Sequence, residues 1–100
     1  MTGDCVVHGD CVSSKNYPSW YGNNERCTIT MLRNAKVSVG SPFSHETYGD
    51  QLMIRGNDVE DSSSVPAFLN ANEEFTWRTD DVVTREGWKL CFSEAETGNV

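Results

Sequence analysis

At 100 residues the chain is long enough for one domain with a single modest core. Only 37% of it is hydrophobic, low for a globular domain, so the core needs help that its four cysteines can supply. The net charge of −7 argues against nucleic acid or an anionic membrane as partner, since both call for an excess of Lys and Arg; cations and basic proteins remain open.

In chain order, Cys5 and Cys11 come first, followed by Cys27 and, far downstream, Cys91. No two form a Cys-x-x-Cys pair, which argues against a zinc ribbon or a thioredoxin-like redox site. An even, scattered set in a small domain reads as two disulfides, and so as an extracellular or luminal protein. Four buried free thiols in a cytosolic domain are the weaker reading. No secretory leader precedes Cys5, which places the natural secretion signal outside this stretch and suggests a module of a larger secreted protein. No apolar run approaches the ~20 residues that span a bilayer.

No window carries a helical apolar stripe; period-two alternation recurs instead. Cys27, Ile29 and Met31 alternate with Thr28 and Thr30, and Val37 and Val39 flank Ser38. Leu52 and Ile54 alternate with Gln51 and Met53. Phe75 and Trp77 alternate with Thr76 and Arg78, and Trp88, Leu90 and Phe92 with Lys89 and Cys91. Each run predicts a half-buried antiparallel strand. Turn residues lie between them: Tyr17-Pro18, Tyr21-Gly-Asn-Asn24, Arg33-Asn34, Gly40-Ser-Pro42, Gly56-Asn-Asp58 and Arg85-Glu-Gly87. Residues 58–74 read as a long loop or short irregular elements, and the tail beyond Glu94 as frayed. The expectation is one all-β domain, an antiparallel β-sandwich spanning residues 1–100 with an ordered core from about 5 to 93.

The same alternation bears on the cysteines. Cys27 shares the inward face of Ile29 and Met31, whereas Cys91 is out of phase with Leu90 and Cys11 with Val12. Two outward cysteines on neighbouring strands can meet, which favours Cys5–Cys27 and Cys11–Cys91 among three possible connectivities.

Three blocks in order resemble the CUB domain family. The first is Val12-Ser-Ser-Lys-Asn-Tyr-Pro18, then Tyr21, then Cys27-Thr-Ile-Thr-Met31. It is similar to the family's apolar residue, Ser-Pro-Asn-Tyr-Pro, Tyr and Cys-x-Trp-x-Ile, with Lys15 in place of a Pro and Ile29 in place of the Trp. The second pairs Phe43-Ser-His-Glu46 with Phe-x-x-Glu, and Asp50-Gln-Leu-Met-Ile54 with Asp-x-Leu-x-Ile. The third sets Phe75-Thr-Trp-Arg-Thr-Asp80 and Gly87-Trp-Lys-Leu-Cys-Phe92 beside the closing Phe-x-Ser-Asp … Gly-Phe strand pair. The likeness runs from about Cys5 to Phe92. It departs at Tyr48, which stands where many members carry a cysteine, and in the short stretch between Glu46 and Asp50.

The resemblance implies a jelly-roll-like sandwich and, in its calcium-binding members, an ion held at one end. Carried over residue by residue, the metal ligands fall on Glu46, Asp50 and Asp80, with Tyr17 supporting them. The main-chain carbonyl of Val82 and the carboxylate of Asp81 are further donors. Independently of the resemblance, three carboxylates gathered at one end repel each other and must shift their pKa values or take a cation. Calcium accepts such irregular oxygen sites, in extracellular modules at roughly 10⁻⁴ to 10⁻³ M. The competing view is that these acids are ordinary solvated loop charges. In the family the ion fixes the acids to accept a Lys ammonium from a partner protein, which makes Glu46, Asp50, Asp80 and Tyr17 the expected ligand-binding residues.

No Gly-x-Ser-x-Gly elbow or glycine-rich phosphate loop is present. His8 and His45 lack ligand spacing, and His45 reads as a surface residue. The expected function is therefore a non-catalytic extracellular binding module for calcium-dependent protein–protein contact. The alternatives are a carbohydrate-binding module that stacks Trp20 and Tyr21 on sugar, or a structural spacer in a secreted protease or adhesion protein. The plainer placement has Tyr21 packed inward and Trp20 covering a loop.

Overall fold

The computed structural model describes residues 2–45, 49–81 and 83–94. Among them the chain forms ten strands: β1 (Thr2–Gly3), β2 (Val6–His8), β3 (Cys11–Ser13), β4 (Arg26–Thr30), β5 (Ala35–Val39), β6 (Gln51–Ile54), β7 (Asn57–Asp58), β8 (Phe68–Leu69), β9 (Glu74–Arg78) and β10 (Lys89–Glu94). They build two five-stranded sheets, ordered β1-β4-β9-β6-β7 and β2-β3-β10-β5-β8, with every neighbouring pair antiparallel. The protein is thus an all-β antiparallel sandwich. The strand orders alone do not define a jelly roll.

The five alternating runs are β4, β5, β6, β9 and β10. In the first sheet, register places Cys27, Trp77 and Leu52 in one inward row, and Ile29, Phe75 and Ile54 in the next. All six are buried. The second sheet answers with Val12, Leu90 and Val39 in one row, and Phe92 beside Val37. Trp88 and Leu90 have no exposed surface. Trp88 meets Trp77 edge-on, with ring centroids 5.9 Å apart, and meets Phe75 at 6.0 Å. Each such aromatic contact adds about 0.5–1.5 kcal/mol beyond area burial.

Both disulfides follow the face their cysteines occupy. Cys5 and Cys27 are buried, and their bond ties the entry to β2 in one sheet to β4 in the other. Cys11 and Cys91 are opposed register partners on β3 and β10, half-buried, and their bond staples neighbouring strands of one sheet. Gly87, at φ +86, leads into Trp88; a Cβ there would strike the Ser14 side chain, which accepts the Trp88 N–H at 3.1 Å.

Residues 58–74 hold more order than their composition suggests. A single 3-10 turn, Ser62–Ser64, is capped by the Asp61 side chain, which accepts from the Ser64 amide at 3.1 Å, and β8 follows. His45 is not a surface residue: half-buried, it places Nε2 2.6 Å from the Val59 carbonyl and packs edge-on to Trp77 at 5.8 Å. No helix among the described residues is long and apolar enough to cross a membrane.

Candidate functional site

One end of the first sheet gathers its polar groups around Asp50. This residue immediately precedes β6 and has no exposed surface. A buried carboxylate persists only where donors satisfy it. Oδ1 accepts the Asp80 amide at 3.0 Å, and Oδ2 accepts the Tyr21 hydroxyl. Tyr21 is itself fixed by packing: its ring stands edge-on to Trp77 at 5.0 Å, and its amide donates to the Arg85 carbonyl at 3.0 Å.

Asp80 lies two residues beyond β9, and its carbonyl accepts the Asn24 amide at 2.8 Å. Thr79 stitches the same segment to the turn before β4. Its hydroxyl accepts from the Glu25 amide at 2.8 Å and donates to the Gly22 carbonyl at 2.9 Å; its amide donates to the Glu25 carbonyl at 2.9 Å. Glu25 is buried as well, and its Oε2 accepts the Gly22 amide at 2.7 Å. Burial pushes the Glu25 carboxyl above the ordinary value, while the Gly22 amide and the Lys15 charge pull it back and Asp4 adds to the rise. The Trp77 indole also favours the charged form, but contact falls short of a hydrogen bond, and Glu25 Oε1 and Trp77 Nε1 are both buried without a partner.

Beside this network an open polar cleft of about 280 Å³ is lined by Asn24, Arg26, Gly49, Arg78, Thr79, Asp80 and Asp81. Of the residues expected at the site, Asp50 and Asp80 are joined directly, and Asp81 is exposed in the cleft. Glu46 and Val82 lie outside the described residues. Tyr17 is placed elsewhere: its hydroxyl donates to the Pro42 carbonyl at 2.6 Å, and the tyrosine that reaches Asp50 is Tyr21. The physical reason is the aromatic core, which anchors Tyr21 against Trp77 while Tyr17 stays half-buried. Among the described residues, no three His, Cys, Asp or Glu side chains converge as metal ligands.

Tyr21, Glu25 and Thr79 are the participants that sequence patterns did not single out for this site. Tyr21 was visible as a second tyrosine next to a turn; nothing local marks Glu25 as buried or Thr79 as a bridge. Tyr21 packs inward as the plainer placement has it, and Trp20 is 59% exposed.

No family model matches the chain, and no curated protein matches it. Fold and site together define a two-sheet antiparallel β domain, stapled by two disulfides, with a buried acidic network at one end of the first sheet.

Proposed function

We propose that this chain is an extracellular, non-catalytic binding module of the CUB type, in which calcium at the Asp50–Asp80 end organises a surface for a basic partner protein. The observation that carries it is the direct link from the Asp80 amide to the buried Asp50 carboxylate. That link ties the Asp80 backbone to the Asp50 carboxylate and so sets both residues at one end of the first sheet. The donor chemistry suits a hard cation. Carboxylate and carbonyl oxygens are at hand, and all four cysteines are consumed in disulfides, which leaves no thiolate for a softer metal. Asp50 and Asp80 would hold the ion, with Glu46, Asp81 and the Val82 carbonyl as further donors. Bound calcium would offset their mutual repulsion and fix the acids for a Lys ammonium. The two disulfides support an extracellular setting.

The test is thermal unfolding in calcium against a chelator, repeated on Asp80→Ala. A specific ion raises Tm with concentration, by the equivalent of about 2.7 kcal/mol at a hundredfold excess over Kd. Asp80→Ala should abolish the rise. A Tm that ignores millimolar calcium removes the metal from the function.

Exposure of Trp20 favours a second reading, sugar binding by stacking. Trp77 and Trp88 are buried, so a fluorescence change on adding oligosaccharide would report chiefly on Trp20. A flat response to sugars and to calcium alike would leave a spacer role.

A further inference from the structure

Arg26 on β4 and Arg78 on β9 are register partners, directly opposite one another, and both are exposed. Their neighbours Cys27 and Trp77 point into the core, so alternation puts both arginines on the outer face of the first sheet. Like charges directly opposed on paired strands repel and weaken the pairing. Fifteen acidic residues are available to relieve them. Among the described residues no acid forms an ion pair with either guanidinium, whereas Arg55 is paired with Glu73 at 2.7 Å; the Asp4 carboxylate nearby accepts the Arg26 backbone amide at 3.0 Å instead. On its other side Arg78 is opposed by neutral Gln51.

The arginine pair sits where two shallow clefts adjoin. One, of about 280 Å³, continues to Asp80 and Asp81; the other, of about 260 Å³, continues over Thr28 and Thr76. Two cations without an ion pair among the described residues therefore share a cleft with two acids.

We infer that Arg26 and Arg78 form a carboxylate-binding site, and that the partner segment docking on this face carries an Asp or Glu beside its basic residue. Guanidinium groups are planar forks that match the two oxygens of a carboxylate, and two of them side by side can grip it with several charge-assisted bonds. The neighbouring Asp80 and Asp81, and the net charge of −7, repel a polyanion such as a sulfated glycan. A segment bearing one negative and one positive side chain complements both halves of the cleft. The carboxylate site stands on the arginines alone; its pairing with a basic residue rests on the partner proposed above.

The experiment is a heteronuclear NMR titration of the labelled protein, in calcium and in chelator, with three capped dipeptides: acetyl-Glu-Lys-amide, acetyl-Glu-Gln-amide and acetyl-Gln-Lys-amide. The two glutamate peptides should shift the Arg26 and Arg78 side-chain resonances and the backbone amides of Cys27, Trp77 and Thr79 beside them, and the third should not. R26Q/R78Q should lose the amide shifts at Cys27, Trp77 and Thr79 and bind acetyl-Glu-Lys-amide roughly tenfold or more weakly. The double variant should also melt above the parent, because its strands no longer oppose like charges; arginines kept only for stability would lower Tm when lost. Silence at both arginines with both glutamate peptides overturns the site, as do shifts that survive R26Q/R78Q. A sulfated disaccharide that moves these resonances when the glutamate peptides do not overturns it too. If calcium still raises Tm in any of those cases, the metal proposal stands without the carboxylate site. Glutamate shifts that persist in chelator, with no calcium effect on Tm, support the arginine site and leave the metal proposal to fall alone.

Discussion

The hydroxyl of Tyr21 donates to Oδ2 of Asp50, a carboxylate with no exposed surface. The bond couples an aromatic core residue to the acid at the mouth of β6, so core packing and site geometry are one system. Tyr21→Phe keeps the ring against Trp77 and removes only the donor. It is expected to cost about 1–3 kcal/mol, because a buried charged acceptor is left short of a partner. Urea denaturation of parent and variant checks this; an unchanged midpoint would show that Asp50 does not depend on Tyr21.

Glu25 makes a pH signature. Burial raises its carboxyl above the ordinary 4.5, so the folded state holds the proton more tightly than the unfolded chain does. Its contribution to stability is therefore fullest below 4.5 and is lost as pH rises through the folded value. Glu25→Gln cannot ionise and should remove that component. Denaturation curves from about pH 4 to about pH 8 should show the parent losing stability relative to the variant as pH rises. Parallel curves would mean that Glu25 titrates as an exposed acid does.

Glu73 behaves in the opposite sense. Arg55 grips both its oxygens, Nε at 2.7 Å and the second guanidinium nitrogen at 2.8 Å, and the Asn70 amide adds a bond at 2.6 Å. These donors, Arg55 foremost, hold its pKa down at about 2. Its stabilising contribution is present above the ordinary 4.5 and drains away as pH falls toward about 2. NMR titration of the Glu73 carboxyl should find the depressed midpoint. Arg55→Gln should raise it toward the ordinary range, and salt should do so in part, since the pair is exposed to solvent. A midpoint indifferent to Arg55→Gln would assign the depression to the Asn70 amide instead.

The disulfides close loops of different length, spanning 22 residues for Cys5–Cys27 and 80 for Cys11–Cys91. Loop-closure entropy alone assigns them roughly 3.4 and roughly 4.5 kcal/mol. Replacing both cysteines of the longer loop by Ser should thus destabilise strongly although that bond lies half-buried on an outer face. Because the Cys5–Cys27 pair is buried in the core, its loss adds a packing cost to the entropic one. Chemical denaturation of the two double variants measures both. A Cys11–Cys91 variant as stable as the parent would place its role outside stability.

The chain on its own determined the sandwich and the faces of Cys11, Cys27 and Cys91. A strand buried on one side must repeat every two residues, so Cys27-Ile29, Leu52-Ile54, Phe75-Trp77 and Leu90-Phe92 announce β4, β6, β9 and β10. The same period turns Cys91 outward to meet Cys11. Strands β1, β7 and β8 hold only two residues each and β2 and β3 three, too few to display any period; β1, β3, β7 and β8 lie against longer strands that template them, and β2 pairs with β3. Tertiary structure alone decided that Tyr21 and not Tyr17 reaches Asp50, that Glu25 is buried, and that Arg26 faces Arg78. Each of these depends on the register between strands far apart in the chain. Local alternation says which face a residue takes; only long-range pairing says whom it meets there.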